Sequence, residues 1–151
     1  MPPPASPDGD LTPLRAIFVE DDPNDARRMA RELQRAGFEA NWQRVDLEEQ
    51  FVGVLDDAIQ LVLSDNGLPA FDAFRVLDVL RANEHPALLV IVCREAGEDE
   101  AVEAVRRGAA DYVVKERIGE LGRTVARALA RSEAVGSQGS EVPPNEPGPR
   151  P

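Results

Sequence analysis

Short apolar runs alternate with stretches of helical period five times along this chain. Ala16-Ile-Phe-Val19 predicts a first strand that ends in acids. Ala26, Met29, Ala30, Leu33 and Ala36 follow at helical spacing, with Asp22 as N-cap, Pro23 in the first turn and Gly37 as the stop. Residues Phe38–Val45 predict a second strand. Asp46 and Glu49 then give a capping-box-like start to a second helix whose apolar stripe is Leu47, Phe51, Val54 and Leu55. Leu61-Val-Leu63 predicts a buried third strand ending at Ser64-Asp65, and Asp72 caps a third helix carrying Phe74, Val76, Leu77 and Leu80. The most apolar strand is Leu88-Leu-Val-Ile-Val92, followed by a helix from about Glu98 to Arg107 that Gly108 stops. Tyr112-Val-Val114 is the fifth strand, and Leu121, Val125, Ala128 and Leu129 mark the last helix.

Five βα units with strands this apolar imply an α/β fold: a five-stranded parallel sheet buried on both faces by helices. Right-handed crossovers make such a sheet doubly wound. Its functional site is expected outside the C-terminal ends of the strands.

The two ends of the chain lack this periodicity and hold most of its prolines. Residues 1–13 and 132–151 are predicted to be disordered Pro-rich tails around a single domain at 14–131, because they cannot bury enough apolar surface to offset chain entropy. The 151 residues carry a net charge of −11, which repels nucleic acid phosphates and anionic membranes and points instead to a protein partner or a small phosphodonor. A lone cysteine, Cys93, excludes an internal disulfide and argues for a reducing, cytoplasmic setting. No apolar run approaches the ~18 residues of a membrane span, and the acidic, proline-rich start does not resemble a secretory signal.

The predicted strand ends carry Glu20, Asp21 and Asp22, then Asp65, Cys93 and Lys115. Gathering carboxylates raises their pKa values, so something must compensate. A hard divalent cation does so, and Mg²⁺ suits one or two carboxylates plus phosphate oxygens and water. The three charges of Glu20, Asp21 and Asp65 balance those of Mg²⁺ and Lys115, leaving a neutral pocket ready for an anion. An ionised aspartate can itself be the nucleophile in phosphoryl transfer, with metal and lysine stabilising the transferred charge. Each residue has a plainer reading alone: Asp22 as a helix cap, Lys115 as a solvated lysine, Trp42 as packing on an edge strand and His85 as a loop histidine before Pro86.

Three segments also resemble a known family. Phe18-Val-Glu-Asp-Asp-Pro23, Leu61-Val-Leu-Ser-Asp-Asn-Gly-Leu-Pro69 and Gly108-Ala-Ala-Asp-Tyr-Val-Val-Lys115 are similar to the bacterial two-component response-regulator receiver, the CheY-like family, in the right order and spacing over about residues 14–131. The resemblance implies a flavodoxin-like sheet of order 2-1-3-4-5. It implies Asp65 as phospho-acceptor and Lys115 as partner of the phosphoryl group. Glu20, Asp21, Asp65 and the main-chain carbonyl of Gly67 would be the Mg²⁺ ligands, and Tyr112 the aromatic switch. It further implies a histidine kinase or phosphotransfer protein as donor. With no residues left for another output domain, output is expected by protein contact, including a possible homodimer through residues 98–131.

Two positions depart from the family pattern. Cys93 stands where Thr or Ser is usual, and a thiol donates a hydrogen bond only weakly. Glu116 stands where proline usually follows the lysine, so a trans peptide is expected there. These departures leave room for a second hypothesis, a degenerate receiver that binds a partner without phosphorylation. An aspartate-nucleophile phosphatase fits poorly, because Asp65 is then unexplained, and the Gly-x-Gly-x-x-Gly of a dinucleotide site is absent.

Overall fold

A computed structural model describes residues 11–94 and 99–141, with side chains as far as residue 134. The elements run β1 (Thr12–Val19), α1 (Pro23–Arg35), β2 (Phe38–Val45), α2 (Glu48–Val54), β3 (Leu61–Asp65), α3 (Ala73–Ala82), β4 (Leu88–Cys93), α4 (Asp99–Arg107), β5 (Asp111–Val114), a 3-10 helix (Lys115–Glu120) and α5 (Leu121–Glu141). Every strand pairing is parallel, in the order β2-β1-β3-β4-β5. The alternating pattern predicts this doubly wound parallel sheet, and the family resemblance its flavodoxin-like strand order.

Strand alternation sorts the core onto two faces. Leu14, Ala16 and Phe18 of β1 join Leu61, Leu63, Val90, Val92 and Val113 under α1 and α5, where Ala26, Met29, Leu33, Leu121 and Val125 complete the cluster. Ile17 and Val19 face the other way with Val62, Leu89, Ile91 and Cys93, packed by Phe51 of α2, Val76 and Leu80 of α3, and Ala101 and Ala104 of α4. Trp42, on edge strand β2, stacks on Phe18 with ring centroids 4.8 Å apart, so it packs as its sequence setting suggests. Gly37 and Gly108 end α1 and α4 at φ +99° and +131°, backbone that favours glycine.

Three element boundaries and one capping residue differ from expectation. β1 begins at Thr12, because Thr12 pairs with Phe38 and its N–H donates to Gly37 O at 2.8 Å; Thr12 and Pro13 therefore belong to the sheet and not to a tail ending at residue 13. Helix α5 continues to Glu141, past the boundary expected at Arg131, since no proline interrupts the chain before Pro143. The remaining tail segments, 1–10 and 142–151, lie outside the described residues, as does Glu98. Helix α2 starts at Glu48 with Leu47 as its N-cap residue, so Asp46 is not the cap. Gln50, not Glu49, reaches back to the N–H groups of Asp46 and Leu47, at 2.9 and 3.2 Å, because the later start shifts the third helical position by one.

Other local expectations match. Asp22 accepts from Asn24 N–H and Asp72 from Arg75 N–H, each at a helix start. No cis peptide occurs among the described residues, so the bond before Glu116 is trans. His85 sits in the α3–β4 connection: Ala87 N–H donates to Nδ1 at 3.0 Å, leaving Nε2–H to donate to Asp56 O at 2.7 Å. Among the described residues no helix is long and apolar enough to cross a membrane.

Candidate functional site

Parallel register fixes the site before any side chain is considered. Val19 pairs with Ser64, Ser64 with Ile91 and Ile91 with Tyr112. One residue further, Glu20 and Asp65 emerge side by side at the sheet's C-terminal edge. Val92 and Val113 lie level with them, and Cys93 and Val114 one position beyond. The last residues of β1, together with β3 and β4, are apolar until their C-terminal ends, so polar side chains gather there.

Glu20 and Asp65 are fully buried, and with the exposed Asp21 they form a cluster in which one carboxylate oxygen from each lies within 4.8 Å of the others. Asp65 Oδ1 accepts from the Gly67 N–H at 2.7 Å, and Asp65 Oδ2 accepts from the Lys115 ammonium at 2.8 Å. Gly67 is tight against the acid, since a Cβ there would stand 3.3 Å from Asp65 Oδ1. Glu20 Oε2 accepts from the Asp22 N–H at 3.1 Å. Its other oxygen, Oε1, is 3.1 Å from Lys115 Nζ but outside hydrogen-bond geometry, leaving a buried carboxylate oxygen without a hydrogen bond. A buried oxygen that is ion-paired to Lys115 but not hydrogen-bonded, in a cluster with two further carboxylates, fits a hard cation, so Glu20, Asp21 and Asp65 are the side chains that can hold one.

Burial and charge set the protonation of these groups. Burial is the largest influence on Glu20 and pushes its carboxyl up to about 7, with Asp65 raising it further and the Asp22 N–H and Lys115 pulling it down. Burial works to lower the Lys115 pKa, but hydrogen bonds to Asp65 and Asp25 and the field of Asp65 and Glu20 outweigh it and raise the value above that of a free lysine. Lys115 is thus a fixed cation, while Glu20 titrates near neutrality in the absence of metal.

Four residues expected to converge, Glu20, Asp21, Asp65 and Lys115, do so. The other two named positions lie on the neighbouring strands β4 and β5. Cys93 is fully buried and its thiol contacts Val113 O at 3.5 Å. Tyr112 is partly buried against the α2–α4 side of the core. Two neighbours escaped the sequence reading. Asp25, in the first turn of α1, accepts from Lys115 at 2.9 Å. Arg94 follows Cys93, with its Nε placed 3.4 Å from where a Gly67 Cβ would be. Asp25 was legible in principle, because a helix starting at a strand end places its first turn on the rim of the site. Nothing in the local sequence singles out Arg94. A depression of about 130 Å³ lined by Asp21, Asp46, Leu47, Leu68, Pro69 and Ala70 opens beside the acids.

A 2-1-3-4-5 parallel sheet with buried carboxylates at two strand tips and an ammonium between them defines the class of doubly wound signalling domains. The response regulator receiver domain family matches residues 16–126, and the chain belongs to that family. It is 37% identical over 103 residues to the response regulator protein FleR of Pseudomonas aeruginosa, covering 67% of this chain and 21% of that protein. Identity to the regulatory protein AtoC of Escherichia coli is 34% over 124 residues, or 79% of this chain and 26% of AtoC. The chain therefore spans about a quarter of the length of these relatives. A response regulator receiver domain protein from Clostridium thermocellum has the same fold, with a TM-score of 0.66 and 16% identity over 81% of this chain and 98% of that one.

Proposed function

We propose that this chain is a phosphorylation switch in which Asp65 accepts a phosphoryl group from the phosphohistidine of a histidine kinase or phosphotransfer protein. The observation that carries this reading is the pairing of a buried nucleophilic carboxylate, Asp65, with Lys115 and with the hydrogen-bond-free oxygen of Glu20. An Asp65 oxygen bonds to phosphorus as the phosphorus–nitrogen bond breaks, and the leaving imidazole takes up a proton. Asp65 needs no general base, because it attacks as the carboxylate. The Gly67 N–H orients it through Oδ1. Lys115 neutralises charge on the equatorial phosphoryl oxygens, a stabilisation that grows in a water-poor pocket.

Glu20 and Asp21, with Asp65 and the Gly67 carbonyl, are the residues assigned to hold Mg²⁺, which when bound offsets the negative charge of the transferring group. Tyr112 is assigned to sense the modified site, and Cys93 to occupy the position of a hydroxyl donor. Output runs through protein contact on the face formed by residues 98–131, where Val102 is exposed, either to a downstream target or to a second copy. A cytoplasmic setting follows from a donor of this kind.

Intact-mass measurement after incubation with acetyl phosphate, with and without Mg²⁺, tests the reading. Wild type gains one phosphoryl group only with the metal, and Asp65→Asn gains none. An unmodified wild type under both conditions transfers the case to a phosphorylation-independent interaction module.

A further inference from the structure

One carboxylate at the strand tips lies outside this scheme. Asp25 Oδ2 accepts from Lys115 Nζ at 2.9 Å, beside Asp65 Oδ2 at 2.8 Å and Glu20 Oε1 at 3.1 Å. Its second oxygen, Oδ1, is 3.6 Å from Arg28 Nη1 one turn along α1, so the carboxylate is oriented from both sides. The Asp25 side chain is only one-quarter exposed.

An ammonium has three N–H bonds, and three carboxylates already surround this one. A divalent cation held by Glu20 and Asp65 draws on two of them. Asp25 stands apart from that cluster and keeps its hold on Lys115. A phosphoryl group on Asp65 must then share the same ammonium with Asp25, and it meets the negative charge of Asp25 a few ångströms away.

We propose that Asp25 is a positioning residue that restrains Lys115, competing with the phosphoryl group for its ammonium and so keeping the phosphorylated form sparse. The inference rests on phosphorylation at Asp65. It deepens that reading by naming a residue that sets how far the reaction proceeds. Removing one like charge at this range, in a partly screened site, raises affinity for the phosphoryl group by about tenfold.

The test uses the full chain as wild type, Asp25→Asn and Asp25→Glu. Calorimetry in saturating Mg²⁺ measures affinity for beryllofluoride, a stable phosphoryl mimic. Intact mass follows the steady-state adduct with acetyl phosphate. Asp25→Asn is expected to bind beryllofluoride about tenfold more tightly and to carry more adduct, with no gain in Mg²⁺ affinity. Asp25→Glu keeps the charge and recovers most of the wild-type value. Affinity in Asp25→Asn at or below wild type overturns the inference, as does a shift in Asp25→Glu as large as that in Asp25→Asn. If wild type carries an adduct but Asp25→Asn shows no gain, this inference alone fails. If neither wild type nor variant takes up adduct or mimic, the phosphorylation reading falls and takes the inference with it.

Discussion

The two halves of the strand-tip pocket are built from different chemistry. At the ends of β1 and β3, fully buried Glu20 and Asp65 share Lys115 at 3.1 and 2.8 Å, and Asp21 completes the acidic cluster. At the end of β4 stands a fully buried thiol, Cys93, in contact with the Val113 carbonyl. The first half works by charge, which acts over several ångströms and tolerates small misplacement. The second depends on a directional hydrogen bond, which needs a good donor within about 3 Å. On the function proposed above, taking up an anion and responding to it become separable properties, and Cys93 would weaken the second while leaving the first in place.

Lys115→Ala should have the largest effect, because it removes the ammonium that two buried carboxylates share. The expected loss is about 3 kcal/mol of stability in metal-free buffer, measured by urea unfolding. Saturating Mg²⁺ should restore more than half of it by supplying the missing charge. A loss indifferent to metal would assign the lysine a packing role and break the contrast between the halves.

Cys93→Thr addresses the other half. A hydroxyl donating to a charged phosphoryl oxygen contributes about 1.5–3 kcal/mol more than no donor, so the adduct's lifetime should lengthen about tenfold or more. An unchanged decay rate would show that the β4 tip does not contact the phosphoryl group.

The smallest effect concerns acidity. The Glu20 carboxyl, pushed up to about 7 by burial, favours its protonated form in the metal-free fold. The stability tied to that group is fully present below its ordinary value of 4.5 and is lost as pH rises through about 7. Metal needs the carboxylate, so apparent Mg²⁺ affinity should fall about eightfold between pH 7.5 and pH 6. Calorimetric titration at those two values checks this, and a flat profile would mean that Glu20 does not bind the cation.

Most of the fold and the core of the site were legible from residues in order. Apolar runs of strand length separated by helix-period stretches leave few topologies other than a doubly wound sheet, because each strand must be covered on both faces. That placement alone put Glu20, Asp21, Asp65 and Lys115 at one edge, since all parallel strands end on the same side. Element ends were less legible. The capping of α2 by Gln50 in place of Glu49 turns on a shift of one residue, and the start of β1 at Thr12 depends on pairing with Phe38.

Tertiary structure alone decided the close approaches. Gly122 of α5 lies against α1 so tightly that a Cβ would come 2.9 Å from Glu32 O and into the Ala36 methyl, a contact that no periodicity announces. Asp25 and Lys115 are 90 positions apart in the chain, yet they form a 2.9 Å hydrogen bond. Local pattern governs which face a residue takes and which strand tip it occupies, because those follow from the repeat of the backbone. Which side chains then touch depends on helix docking and sheet twist, properties of the assembled layers that no single segment contains.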